Sequence, residues 1–562
     1  MNFKVRNAVA AAIASGAAFT GVAHAADITA VNPSNVLYAG GSTAVSASLT
    51  EYFLQATDST SQPCDETKSI DLYSDGSGST QFLAVACTAN SSMGLAANTL
   101  IAFVKELNGG SFNGLGPVGA NTTLTFPDVS TLTSNAFQTG STACASSSVA
   151  ALVKAGTTLA VGYTKHSCSS SANFTADAAA YTTTGLAPNI GFADVNSTAF
   201  GTSDAALGIT TGQTVQIIFA PAVSLGLYHA LQAAQGLPQD DNVTDMPGLS
   251  KAELTSLFTN QVNRWSSMMA SNGTLLTAES VVFGGSSGAT YGGGGATTPS
   301  SNIVYFCRRD DYSGTERSDE IYFALQNCVP SGTVNGFRNA SAFTDQSGHA
   351  ANQTFGNSWV NSDTSVATFP ASSTGNVLAC LQGHDSVGHY AIGYASIDNS
   401  WGAQQSTSGR RDWRFIKVNN NVPSIENAAA GKWQVVAQSV YALPSNNAQG
   451  NYPTGTALTF AQFFTGTGGN NATSFGKAAT VAAVNAQDQW TAPALDGGLL
   501  SIPIAGVNTP NAASAALSTF QGNPVSDFAK VSGSTLNNCQ NPDRASNATS
   551  IGVNGTVSWA TP

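Results

Sequence analysis

The segment Cys307-Arg308-Arg309-Asp310-Asp311-Tyr312-Ser313-Gly314-Thr315-Glu316 brings a guanidinium, two hydroxyls and backbone amides to one point of the chain. It follows the apolar run Ile303 to Phe306, which reads as a strand, and opens a helical stretch from Arg317 to Asn327. Helix starts leave N–H donors without intrahelical acceptors and carry the positive end of the dipole, and arginine presents a planar fork that matches oxyanion oxygens. The chemistry within reach is the holding of a tetrahedral oxyanion. Asp311, two residues beyond Arg309, is placed to orient that fork. The same residues also suit an ordinary strand-to-helix turn capped by Ser313 with surface charges around it, so the elements elsewhere in the chain must decide.

Those elements repeat one arrangement. A strand at Val36 to Tyr38 runs into Ala39-Gly40-Gly41-Ser42-Thr43-Ala44 and a helical pattern from Val45 to Gln55. A strand at Ile70 to Tyr73 runs into Ser74-Asp75-Gly76-Ser77-Gly78-Ser79-Thr80 and then the apolar stretch Phe82 to Cys87, which reads as a third helix start. Ile190 to Val195 is an apolar strand ending in the acid Asp194. Thr214 to Ala220 is a strand before a helix from Val223 to Gln235, and Ser250 with Glu253 forms a capping box for a helix from Lys251 to Phe258. His389 to Ala395 and Arg414 to Val418 read as further strands. Alternation of strands and helices indicates an α/β sheet. Residues 88–185, rich in Ser, Thr, Ala and Asn, read as an insertion that decorates the domain without carrying its core. Past residue 446 the periodicity loosens into a Gly/Asn/Thr-rich C-terminal region.

The chain has 562 residues, enough for two or three domains. Lys4 and Arg6, the apolar stretch Ala8 to Val22 and Val22-Ala23-His24-Ala25 predict a signal peptide over 1–25, and hence a periplasmic or secreted protein. Without Lys4 and Arg6 the chain carries 18 Lys+Arg against 32 Asp+Glu, a net charge of −14. That balance excludes nucleic acid and anionic lipid as expected partners, and no later stretch has the length of a membrane span. An anion site on such a chain must work by local donors.

Eight cysteines stand at 64, 87, 144, 168, 307, 328, 380 and 539, an even number suited to disulfides in an exported chain. Neighbouring spacings favour Cys64 with Cys87, Cys144 with Cys168 and Cys307 with Cys328, leaving Cys380 for Cys539. No cysteine or histidine spacing suits zinc, and neither a metal nor a cofactor is expected.

Taken in order, seven pieces resemble the phosphate-binding proteins of ABC uptake systems, in the periplasmic binding protein type 2 superfamily. They are Gly40-Gly41-Ser42-Thr43-Ala44, Tyr73-Ser74-Asp75-Gly76-Ser77-Gly78, Ile190-Gly191-Phe192-Ala193-Asp194, Leu249-Ser250 through Phe258 to Trp265, Arg309-x-Asp311-x-Ser313-Gly314-Thr315, Ala391-Ile392-Gly393-Tyr394 and Val422-Pro423-Ser424-Ile425-Glu426-Asn427. The resemblance spans about residues 36–445. It implies a two-lobed α/β fold with the ligand cleft between lobes, a large insertion and a C-terminal extension. Lobe 1 would comprise 26–222 (insertion about 88–185) with 396–445, lobe 2 would comprise 223–395, and 446–562 would follow. It implies inorganic phosphate as ligand, an ABC-type membrane permease as partner, a monomer, and no catalytic residue. Carried over by position, Thr43 and the Ala44 amide serve the first glycine turn, Ser77 the second, Asp194 is the acid, and Arg309, Ser313, Gly314 and Thr315 come from the other lobe. Ser79 or Thr80 would replace Ser77 after a small shift. Asp75 and Arg308 are additions that bear on the ligand's charge state.

Phosphate near neutral pH retains a proton that a carboxylate can accept, whereas sulfate would leave that carboxylate unpaired, at about 1–3 kcal/mol or more. Other signals are weaker. Gly284-Gly285-Ser286-Ser287-Gly288 matches a nucleophile pattern but runs on into a glycine loop. His384 and His389 flank Asp385 without a third ligand, and the glycine turns lack a P-loop lysine. A solute-binding protein is thus the leading expectation. A secreted phosphatase-like relative and a surface or extracellular matrix protein reusing the fold are the alternatives.

Overall fold

The computed structural model describes residues 28–54, 61–65, 67–74, 83–106, 110–127, 129, 144–149, 153–154, 157–158, 163–168, 182–270, 273–279, 299–325, 337, 367–371, 373–386, 388–399, 413–465, 475–487, 498–503, 507–511, 516–532, 535–536, 538–539 and 543–544. The expected signal peptide, Ser77 with its alternatives Ser79 and Thr80, Asp75, Cys328 and the Gly284 to Gly288 loop lie outside them.

A mixed sheet of 14 strands dominates. In chain order these are β1 (Val36–Gly41), β2 (Ile70–Ser74), β3 (Leu83–Thr88), β4 (Leu100–Lys105), β5 (Cys144–Val149), β6 (Tyr163–Cys168), β7 (Ile190–Ala193) and β8 (Ile209–Ser224). There follow β9 (Tyr305–Arg309), β10 (Thr368–Ala371), β11 (Ala391–Ser396), β12 (Trp413–Phe415), β13 (Val436–Pro444) and β14 (Leu499–Ser501). Their order is β10-β9-β11-β8-β13-β7-β1-β4-β3-β2-β6-β5, with β12 and β14 also on β8. Strands β4, β1 and β7 run parallel, as do β10, β9 and β11, while β8 and β13 are antiparallel to their neighbours. The 16-residue β8 serves both halves: Ile209 to Ile218 pair with β13, and Phe219 to Val223 pair with β11.

Helices cover the sheet: α1 (Ser46–Leu54), α2 (Leu225–Ala234), α3 (Lys251–Phe258), α4 (Gly314–Asp319), α5 (Thr374–Ser386) and α6 (Gly455–Thr465). The capping box on α3 forms as the sequence predicts, Ser250 Oγ taking the Glu253 amide and Glu253 returning to the Ser250 amide. Beyond α4 the chain tightens into a π-helical turn over Glu320–Ala324, which ends at Leu325 with φ +55°.

Several expectations are corrected. Phe82 to Cys87 does not open a helix, because Leu83–Thr88 is a strand antiparallel to β2. Its side chains are buried on both faces, and a short continuous apolar run of that kind has no period to separate strand from helix. Residues 88–185 do more than decorate, since β4 lies between β1 and β3 with Ile101, Phe103 and Val104 in the core. The C-terminal region likewise enters the core, where Phe464 of α6 packs its ring 5.8 Å from Phe53, 5.6 Å from Phe103 and 5.8 Å from Phe192.

The Cys64–Cys87 disulfide is present. Cys307 bonds Cys380, which overturns both the Cys307–Cys328 and the Cys380–Cys539 pairings. Residues 73 apart in sequence meet because α5 lies across β9, a proximity that spacing alone does not reveal. Cys539 is also disulfide-bonded. The backbone sets Cys144 opposite Cys168 across β5 and β6. No helix among the described residues is long and apolar enough to cross a membrane.

Candidate functional site

Parallel strands leave their carboxyl ends on one side of a sheet, and the turns there are the usual place for a ligand. Five such ends meet here. Ser42 and Thr43 follow β1, Lys105 closes β4, Asp194 follows β7, Arg309 closes β9, and Ser373 with Thr374 follow β10.

Arg309 is 1% exposed and Asp194 2% exposed, so both charges are withdrawn from water. The Arg309 Nε donates to the Ala371 carbonyl at 3.1 Å, which sets the plane of the fork. Its Nη1 lies 3.5 Å from Thr43 Oγ1 and 3.3 Å from Thr374 Oγ1. Burial lowers the Arg309 pKa, opposed by the fields of Asp310, Asp194 and Glu316. Asp311 does not orient this fork, contrary to expectation. It is exposed and pairs with Arg308 at 2.7 Å, because β9 ends at Arg309 and the chain turns at Asp311, off the alternation that would have put it on the Arg309 face. Arg308 also meets the buried Glu316 at 2.5 Å, and Glu316 accepts the Arg309 amide at 3.1 Å.

Asp194 accepts from two hydroxyls, Ser42 Oγ on Oδ1 and Ser111 Oγ on Oδ2, the latter at 3.0 Å. Burial raises its pKa, while Ser42, Ser111, Arg309 and Lys105 pull it back. Two carboxylate oxygens offer about four lone-pair positions, so acceptor capacity remains. The Ala44 amide donates to Ser42 Oγ at 3.0 Å.

Ser313 caps α4 by taking the Glu316 amide at 3.4 Å, as the sequence suggests. Gly314 stands where the two halves touch: a Cβ there would fall 2.3 Å from Ser111 Oγ and 2.7 Å from Asp194 Cβ. Only a residue without a side chain fits. Thr315 Oγ1 is buried with no hydrogen-bond partner among the described residues. The structure therefore gathers Thr43, Ala44, Asp194, Arg309, Ser313, Gly314 and Thr315 around one buried region.

Besides Lys105 and Ser373, three members escape the sequence reading. Ser42 sits within a quoted motif, yet its neighbour Thr43 draws the attention. Ser111 lies in the stretch read as decoration. Thr374 opens α5 after Ala371-Ser372-Ser373, another strand, Ser-rich turn and helix, and that recurrence is the signal that would have found it.

The histidine pair has a structural explanation. His384 and His389 face each other through their Nδ1 atoms at 3.1 Å, and Tyr305 stacks on His389 at 4.1 Å. Cys307 and Cys380 lie beside His384, but their sulfurs are joined in the disulfide and are not available as thiolate ligands.

No protein-family profile matches the chain, and no curated protein matches it. Among solved structures it is similar to a putative phosphate ABC transporter substrate-binding protein with bound phosphate from Clostridium perfringens, at 13% identity over 54% of this chain and 77% of that one, with a TM-score of 0.28. It is similar to an ABC-type phosphate transport receptor from Vibrio cholerae at 12% identity, 51% and 77% coverage and a TM-score of 0.24. It is also similar to the ancestral soluble variant of the human phosphate binding protein at 13% identity, 60% and 85% coverage and a TM-score of 0.29. The chain itself is a mixed α/β protein built on a large central sheet.

Proposed function

We propose that the protein is an exported solute-binding protein that captures inorganic phosphate between two lobes and passes it to an ABC-type permease. The carrying observation is the meeting of Arg309 with Thr43 and Thr374 beside a buried Asp194 that hydroxyls hold on both oxygens. Arg309, the hydroxyls of Thr43, Thr315 and Thr374, and the amides at the start of α4 including Gly314 serve as donors to the anion. Ser313 holds that start in place, and the Ala44 amide is shared with Ser42. Asp194 accepts the proton of hydrogen phosphate. The shared strand β8 supports a reading in which the halves are lobes that meet at the site.

Nothing in this arrangement calls for a nucleophile, since hydrogen bonds to a retained proton and to fixed oxygens suffice for capture. Isothermal titration with phosphate and sulfate tests the reading. Wild type is expected to bind phosphate and not sulfate, and Asp194→Asn to lose that preference, because its amide can donate to a proton-free oxyanion. Equal affinity of wild type for both anions, or for neither, defeats the reading.

A further inference from the structure

The first glycine turn rests on a buried charge pair. Lys105 and Glu106 are both 0% exposed. The Lys105 ammonium donates to the Gly41 carbonyl at 3.0 Å, and the Gly41 amide donates to Glu106 Oε1 at 2.7 Å. Asn113 Nδ2 holds Glu106 Oε2 at 3.3 Å. The two peptide groups that flank the Gly41 Cα are therefore both held, immediately before Ser42 and Thr43. Gly41 itself has φ +115°, and a Cβ there would fall 1.9 Å from the Phe192 carbonyl oxygen, so no side chain at that position could do the same work.

Burying an ammonium is costly unless its charge is compensated. Glu106 compensates it only while ionised. The Lys105 field also reaches Asp194, which places the ammonium within electrostatic range of whatever Asp194 faces.

We propose that Lys105 is a second cation of the oxyanion site, acting through its field, and that Glu106 is the counter-charge that sets how strongly the site holds a dianion. This rests on the phosphate reading and adds its regulation by acidity. With Glu106 ionised the pair is neutral and the bound anion feels little net field from below. With Glu106 protonated, a full positive charge lies under the turn. Burial raises the Glu106 carboxyl to about 7, opposed by Lys105, the Gly41 amide and Asn113, so the change falls near neutrality. Lys105 is the charged group acting on Glu106; Asp194 lies within the fields of Lys105 and Arg309, and its own field acts on Asp398.

The test compares phosphate dissociation constants of wild type and Glu106→Gln by isothermal titration at pH 5.5 and 8.5. The ratio of the two proteins at each pH removes the titration of phosphate itself. The variant is expected to bind at least about tenfold more tightly at pH 8.5, the effect of one unit charge within about 12 Å at an effective dielectric of about 20, and equally at pH 5.5. A ratio that is the same at both pH values, or a variant that binds more weakly at pH 8.5, overturns the proposal and leaves Glu106 as a backbone clamp. The double variant Lys105→Met with Glu106→Gln covers a failure of the single variant to fold. It is expected to match wild type at pH 8.5 and to bind about tenfold more weakly at pH 5.5; no pH dependence of that ratio overturns the proposal. Wild type that binds no phosphate removes the underlying reading as well, whereas binding with a flat ratio removes this inference alone.

Discussion

The Arg309 guanidinium and the Thr43 hydroxyl, 266 residues apart in sequence, approach to 3.5 Å at the carboxyl ends of strands from opposite halves of the sheet. One half brings the buried cation together with the Thr374 hydroxyl at the start of α5, and the other adds the Thr43 hydroxyl and the Asp194 carboxylate. On the proposed function, the contact ties anion capture to both halves of the sheet.

Arg309→Ala is expected to weaken phosphate binding by roughly 3 kcal/mol, about a hundredfold, because truncation removes the charge and leaves Asp194 buried without it. Arg309→Lys keeps the charge but loses the fork, and should recover only part of the loss. Titration calorimetry on the three proteins checks the order.

Gly314→Ala should interfere with the approach of α4 to Ser111 and Asp194, since the added methyl would lie 2.3 Å from Ser111 Oγ. An overpacked contact of this kind costs about 1–3 kcal/mol. The expected result is a lower thermal midpoint together with a reduced stabilisation by phosphate, read from unfolding with and without the anion.

Acidification should destabilise the fold through the histidine pair. In the unfolded chain the imidazoles gain protons near pH 6.5, while burial holds folded His384 down to about 3 and His389 to about 4. The unfolded state therefore binds more protons between these values. Their contribution is complete above pH 6.5 and is lost as pH falls through that window. Unfolding midpoints from pH 7 to 4 should fall less steeply in His384→Gln than in wild type.

Replacing both Cys307 and Cys380 with serine should cost about 4 kcal/mol in the chain-entropy picture, given a sequence separation of 73. Denaturant unfolding of the double variant measures it. Peptide mapping of the oxidised protein should recover Cys307 with Cys380 and not with Cys328.

The local signals in the chain were readable where one turn and its caps decide the outcome. Ser313 caps α4 and the Ser250–Glu253 box starts α3, because both depend on residues a few positions apart. The strand ends at Gly41 and Asp194 were visible as apolar runs meeting glycine or an acid. Partnerships set by tertiary packing were not. Asp311 faces Arg308 and not Arg309 because the chain turns straight after β9, Leu83 to Thr88 is a strand because both faces are covered, and Ser111 reaches Asp194 from a segment whose composition resembles a loop. Cys307 finds Cys380 only once α5 lies on β9.

The ring cluster joining Tyr52 and Phe53 of α1 to Phe464 has a bearing on synthesis. A chain made from its amino terminus presents α1 early and its covering helix hundreds of residues later. Until Phe464 emerges, Phe103 already meets Phe53 from the sheet side, while the face that α6 will cover stays open to solvent or to a holdase. Closure of the protein's oldest core thus waits on one of its youngest segments, which delays commitment to a compact state while most of the chain is still being extended.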